Sequence, residues 1–283
     1  MHIFKEIAPL RDHLKSLRSG QSSIGFVPTM GALHKGHLGL INASKNHNDI
    51  TVCSIYVNPT QFGNPEDLAK YPRTLEQDID LLEQASCDVL FCPSNTVMYH
   101  RAEPLTISFD KLDRILEGEF RPGHFSGVAV VVSKLFNIVQ PDIAYFGQKD
   151  YQQVMIISKL IEAMKFNVQL HVVPTVREHD GLALSSRNQR LSVDERNRAT
   201  VLYQGLRATQ QGLIQGLPLS ELRTRVAALC DSKGVRMEYL EVVDQDTFEV
   251  KESPTRAVIL IAAYVGNVRL IDNLVVESQD EIA

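Results

Sequence analysis

Over the first two-thirds of the chain, short runs that are apolar at nearly every position alternate with longer helical stretches. SIGFVPT (23–29), ITVCSIYVN (50–58), CDVLFCP (87–93), DIAYFG (142–147) and NVQLHVVP (167–174) read as strands. Between them lie a helix opening after His37, then TLEQDIDLLEQAS (74–86), GVAVVVSKLFNIVQ (127–140) and DYQQVMIISKLIEAM (150–164). A strand wetted on one face alternates apolar and polar residues. A run apolar throughout is buried on both faces, as in a parallel sheet covered by helices. The pattern predicts an α/β fold, with ligands bound beyond the carboxyl ends of the strands.

The rhythm changes near 174–180. Two helices follow, at about 192–212 and 218–233, then three closely spaced strands, MEYLEVVD, AVILIAAYV and VRLIDNLVV. Closely spaced strands pair antiparallel, so a smaller α+β domain is expected at 177–283, after a first domain at 1–176. A length of 283 residues accommodates both. The polar tail ESQDEIA is expected to fray.

A formal net charge of −5 without a basic block excludes a general nucleic-acid binder, although local cations on an acidic protein still hold small anions. The four cysteines form no CxxC pair and no zinc spacing, which fits a reducing compartment. The start MHIFKEIAPLRDHLK has no apolar core of a secretory signal, and the longest apolar run, AVILIAAYV, is too short to span a bilayer.

Five stretches sit where a ligand would bind. PTMGALHKGH (28–37) joins a strand to a helix, and its glycines allow close backbone approach to a phosphate. The unpaired amides of a helix start attract anions. His34 and His37 are three apart, so both rings could offer Nε2–H to one phosphate. Neither a Walker loop nor GxGxxG is present. VNPTQF (57–62) offers Asn58, Gln61 and Phe62 at a strand end, suited to a small polar substrate, though alone it also reads as an Asn-Pro turn. RPGHFSGV (121–128) holds Arg121 and His124 in a turn before a helix. FGQKDYQQV (146–154) repeats the strand-to-helix turn, with Lys149 for a phosphate, Asp150 for a cap, ribose or metal, and Gln153 three residues on. In LSSRN, Ser185, Ser186 and Arg187 form a compact oxyanion-binding group.

Together PTMGALHKGH, VNPTQF, YPRT, RPGHFSGV, FGQKDYQQ and LSSRN, in this order over about 23–190 and extended by RLIDN, resemble the pantoate–β-alanine ligase family. The His-x-Gly-His turn alone is shared with class I aminoacyl-tRNA synthetases and related nucleotidylyltransferases; the ordered set is specific. The resemblance implies a Rossmann-like first domain, a cytoplasmic homodimer, magnesium with ATP, and no nucleic-acid or membrane partner. It implies that pantoate attacks the α-phosphate of ATP to give pantoyl adenylate and pyrophosphate, and that β-alanine then displaces AMP. Carried over, Met30, Gly31, Ala32, Leu33, His34, Lys35, Gly36 and His37 form the ATP turn, with His37 as the family's proton donor. Gly147, Gln148, Lys149 and Asp150 bind ATP, Lys149 on phosphate and Asp150 on ribose. Val176 helps hold adenine, and Leu184, Ser185, Ser186 and Arg187 close over the phosphates. His34, His37, Lys149 and Arg187 are the catalytic set. Gln61 and Gln153 bind pantoate, and Gln61 also meets β-alanine. Asn58, Tyr71 and Arg121 are secondary candidates, and Asp78 is the carboxylate nearest in expectation to magnesium. Gln148 stands where many members have Glu, and Leu184 where many have Met. Gly181 is the expected hinge of the LSSRN lid. The rival readings are a nucleotidylyltransferase of the same superfamily, whose phosphorylated substrate would need cations in VNPTQF, and a non-catalytic nucleotide-binding protein.

Overall fold

The computed structural model describes residues 1–18, 20–100, 105–251 and 256–276. The tail expected to fray lies outside them. Two compact units emerge: Met1–Gln148 with Gln152–Pro174, and Lys149–Tyr151 with the chain from Thr175 onward.

The first unit is built on a six-stranded parallel sheet of β1 (His2–Phe4), β2 (Ile24–Thr29), β3 (Ile50–Ile55), β4 (Val89–Phe91), β5 (Ile143–Gly147) and β6 (Gln169–Val173), in the order β1-β4-β3-β2-β5-β6. Adjacent residues on each strand serve opposite faces. Phe26, Val52, Val89 and Ala144 pack into one cluster with the helix His124–Val139, and Val27, Cys53, Leu90 and Tyr145 into another with Leu40 and Ile41 of the helix Lys35–His47. Two-sided burial is the reason the central strands are apolar at nearly every position, whereas β6 at the sheet edge carries Gln169 and His171 and is only partly buried. The strand order reverses between β2 and β5, which makes their carboxyl ends the topological switch point where open α/β sheets bind ligands. Those ends carry PTMGALHKGH and FGQKDYQQ.

Sequence pattern assigns no element to the first twenty residues. There the structure has β1, three residues long and paired to β4, and the helix Ile7–Arg18, whose Leu10 and Leu14 enter the core. The polar loop after β3 holds a short helix, Pro65–Lys70, capped by Asn64, whose side chain accepts from the Glu66 amide. The valine-rich 127–140 is helical as expected, and its helix begins three residues earlier at His124.

The second unit stacks helices on an antiparallel sheet of β7 (Val235–Asp244), β8 (Ala257–Val265) and β9 (Val268–Val276), in that order. The helix expected at 192–212 is two, Val193–Ala199 and Val201–Ile214, meeting at Thr200. Leu202, Leu206 and Val226 pack on Ile259 and Ile261 of β8.

The four thiols are free. Burial pushes Cys87 and Cys230 each up to about 11, and raises Cys53 and Cys92 as well.

Candidate active site

The turn after β2 is shaped by one carboxylate. Gly31 has φ +79° and Ala32 φ +49°, so two successive residues are left-handed. For alanine this costs about 1–2 kcal/mol. Against it stands Asp78, 1% exposed, whose Oδ2 accepts from the Ala32 amide at 2.9 Å and Oδ1 from the Leu33 amide at 2.7 Å. Thr74 donates to Oδ1 at 3.3 Å. Hydrogen bonds to a charged group contribute about 1.5–3 kcal/mol each, so the clamp outweighs the strain. Thr29 adds a further tie, donating to the Ser54 carbonyl and accepting from the Gly31 amide at 3.2 Å.

The helix Lys35–His47 then opens with a capping box made of two histidines. The Gly36 amide donates to Nδ1 of His34 at 3.1 Å, and the His34 amide donates to Nδ1 of His37 at 3.3 Å. A ring nitrogen that accepts an N–H bears no proton. Both imidazoles are therefore neutral with the proton on Nε2, and their ring centroids lie 4.1 Å apart. From sequence, the first-turn amides are expected to meet an anion. In the structure the amides of Gly31, Ala32, Leu33, His34 and Gly36 already have acceptors within the protein. Beside its remaining amides, this turn can present an anion with the Nε2–H groups of the two rings.

Asp78 does not fit the magnesium role expected of it from sequence. Its two oxygens are engaged by backbone amides and it is out of reach of solvent, so it anchors the turn. Among the described residues no group of three or more His, Cys, Asp or Glu is placed to hold a metal.

Gln61 ends the 3-10 turn Pro59–Gln61 and is 6% exposed. Its Oε1 accepts from Asn58 at 3.3 Å, while its Nε2 rests on the thioether of Met30 at 2.8 Å. Sulfur is a weak acceptor, so that donor is readily given up to a carboxylate or hydroxyl. Asn58, 1% exposed, is fixed in turn by the Gly127 carbonyl at 3.1 Å and by the Tyr99 hydroxyl at 2.9 Å. Gly127 permits this approach: a Cβ there would lie 2.5 Å from the Thr60 carbonyl oxygen. The backbone of Gln61 is held as well. Arg121 Nη1 lies 3.0 Å from His124 Nε2, and His124 Nδ1 lies 2.8 Å from the Gln61 carbonyl. A guanidinium only donates, so Nε2 accepts and the proton on Nδ1 is donated to Gln61. The sequence marks Arg121 and His124 as a turn but does not reveal this relay.

Gln153 is half-buried on the helix Tyr151–Met164, and no hydrogen bond engages its side chain among the described residues. Its neighbour Gln152 is the structural member of the pair, donating to the Leu112 and Ile115 carbonyls and accepting from the Glu117 amide. Tyr71 packs edge-on against Phe62 with centroids 5.7 Å apart, which ties it to the wall of the VNPTQF loop.

In the second unit, Gly147's successors Lys149 and Asp150 close a short 3-10 turn. Asp150 is exposed, and the Lys149 ammonium forms no ion pair among the described residues. Leu184 is bonded to Val176 through backbone at 3.0 Å, Ser185 caps the 3-10 helix Ser186–Arg190 through the Arg187 amide, and Arg187 Nη1 donates to the Arg269 carbonyl at 3.3 Å. The expected hinge is pinned. Gly181, at φ +91°, lies so close to Tyr203 that a Cβ would sit 2.1 Å from the ring, and its carbonyl accepts from Arg177 at 3.0 Å. Asp180 beside it is forked by Arg196 at 2.6 and 3.0 Å, and these bonds hold its carboxyl below the usual range.

A family model described as pantoate-beta-alanine ligase matches residues 2–275. The pantothenate synthetase 1 of Bradyrhizobium diazoefficiens is 46% identical over 277 residues, covering 97% of this chain and 98% of the relative. The crystal structure of pantothenate synthetase from Thermus thermophilus superimposes with a TM-score of 0.91 at 41% identity, over 98% of this chain and all of that one. That of Francisella tularensis pantoate-beta-alanine ligase, complexed with beta-gamma ATP and beta-alanine, gives 0.84 at 41% identity, over 97% of each.

Proposed function

Since this chain belongs to the pantoate–β-alanine ligase family, we propose that it uses ATP to join pantoate to β-alanine through a pantoyl adenylate. In the first step a pantoate carboxylate oxygen attacks the α-phosphorus and the bond to pyrophosphate breaks. In the second the β-alanine amine attacks the acyl carbon, the mixed anhydride bond between acyl carbon and phosphate oxygen breaks, AMP leaves and the proton lost by the amine goes to solvent. The observation that carries the reading is the reciprocal cap of His34 and His37 at the switch point of the sheet.

The first step brings two anions together, so neutralising and orienting negative charge is the main requirement. His34 and His37 are assigned to the phosphates as neutral Nε2–H donors, which supply hydrogen bonds to growing charge without giving up a proton. Lys149 and Arg187 supply full charges. Gly147, Gln148 and Asp150 are assigned to ATP with Lys149, Val176 to adenine, and Leu184, Ser185, Ser186 and Arg187 to a cover over the phosphates that keeps water from the adenylate. Magnesium enters as part of the ATP substrate, with phosphate oxygens as its ligands. Gln61 and Gln153 are assigned to pantoate, and Gln61 to β-alanine as well. Amides orient a carboxylate without the full charge that would blunt its nucleophilicity.

Exchange of labelled pyrophosphate into ATP, measured without β-alanine, tests this. It is expected to require pantoate. Exchange indifferent to pantoate would sink the assignment. We also propose a cytoplasmic homodimer, for which sedimentation velocity is the check on assembly. No described helix is long and apolar enough to cross a membrane.

A further inference from the structure

The RLIDN stretch carries no role in the reaction as assigned above, yet in β9 it holds three separate pieces of the second unit. The Arg269 carbonyl receives Nη1 of Arg187 at 3.3 Å. The Asp272 carboxylate is forked by Arg177 at 2.6 and 2.9 Å, and Arg177 continues to the Asn273 and Gly181 carbonyls at 2.9 and 3.0 Å. Asn273, 1% exposed, donates from Nδ2 to the Lys149 carbonyl at 2.8 Å, across 124 residues of sequence. Successive side chains of a strand leave on opposite faces, so Asp272 and Asn273 serve different partners from one point.

Lys149 lies beyond the end of β5, in a turn rather than a ladder, and no hydrogen bond or ion pair fixes its side chain among the described residues. A flexible four-carbon stem carries its charge. The stem limits how far that charge reaches from its backbone, and the Asp272 carboxylate beside Asn273 already feels it, so the hold on the Lys149 backbone sets the region the ammonium can occupy during adenylation. We propose that Asn273 is a positioning residue for adenylation, fixing the backbone of Lys149 so that its ammonium meets the transition state. This rests on the assignment of Lys149 to the ATP phosphates. Asp272 and Arg177 hold β9 and the Arg177–Ala183 bridge together, so Asn273 acts from a fixed point.

The test is a double-mutant cycle on pantoate-dependent pyrophosphate exchange with the full chain. Asn273→Leu keeps the volume and removes the donor; Asn273→Ala is the second variant should leucine not be accommodated, with thermal unfolding as the check on folding. In an otherwise unchanged chain, kcat is expected to fall about tenfold to a hundredfold, the size of effect a displaced catalytic group produces, with the KM for pantoate little changed. In a Lys149→Ala background the same substitution is expected to cost less than about threefold, because coupled residues are not additive. An equal loss in both backgrounds, or an unchanged kcat in the single variant, would overturn the proposal. A Lys149→Ala chain exchanging at the unsubstituted rate would overturn the assignment of Lys149 itself, and is told apart by needing no Asn273 variant.

Discussion

His34 and His37 hold each other's place: the His34 amide donates to the ring of His37, and the His34 ring takes the amide of Gly36. Each ring is thereby barred from a proton on Nδ1. His37→Ala is expected to slow single-turnover adenylation at least about a hundredfold, the scale of losing a transition-state donor, with little change in MgATP affinity. Adenylation at normal speed in the variant would count against it.

Asp78 separates a clamp from a metal ligand. Asp78→Asn keeps the shape but replaces one acceptor oxygen by a donor facing a backbone amide. Pantoate-dependent exchange is expected to drop about tenfold or more, since an unmatched buried polar pair costs about 1–3 kcal/mol. The magnesium concentration giving half-maximal rate should not move. A large rise in that concentration would return Asp78 to the metal.

Gln61→Glu and Gln61→Asn ask whether charge or reach matters more in the acid pocket. Glutamate there would be a nearly buried carboxylate facing a substrate carboxylate, with Asn58 on one side. Pantoate binding by calorimetry is expected to weaken more in Gln61→Glu than in Gln61→Asn. Equal affinities in the two would refute this.

The Asp180–Arg196 pair gives a pH signature. Its bonds lower the folded-state carboxyl, so the stabilisation is complete above the unfolded value of about 3.9 and disappears as pH falls through the folded one. Asp180→Asn is expected to melt below the unsubstituted chain at pH 7, and the gap to close as pH falls below about 4. A gap that persists in acid would show that the asparagine is harmful for another reason.

Periodicity and composition make the parallel sheet, its two covered faces and the antiparallel second unit legible, because each strand's burial is written into its own residues. The short β1 is not, since three residues gain their meaning only from pairing with β4. The same divide runs through the site. His34 and His37 can be read as neighbours from their spacing, and Gln61 from its place at a strand end. Their protonation cannot, because it is decided by which backbone N–H reaches which ring nitrogen. Asp78 stands out in the sequence but with the wrong partner, since its bonds span 45 and 46 residues. His124 and Asn273 act on carbonyls 63 and 124 residues away, and nothing local records such a bond.

The thiols have a practical consequence. Cys53 and Cys87 lie in the core of the first unit and Cys230 in that of the second, all buried and all held far from thiolate at neutral pH. Reagents that consume thiolate must wait for the surrounding core to open. Mass-resolved alkylation of the native thiols during a denaturant series therefore reads the two cores as two separate clocks, with no residue changed.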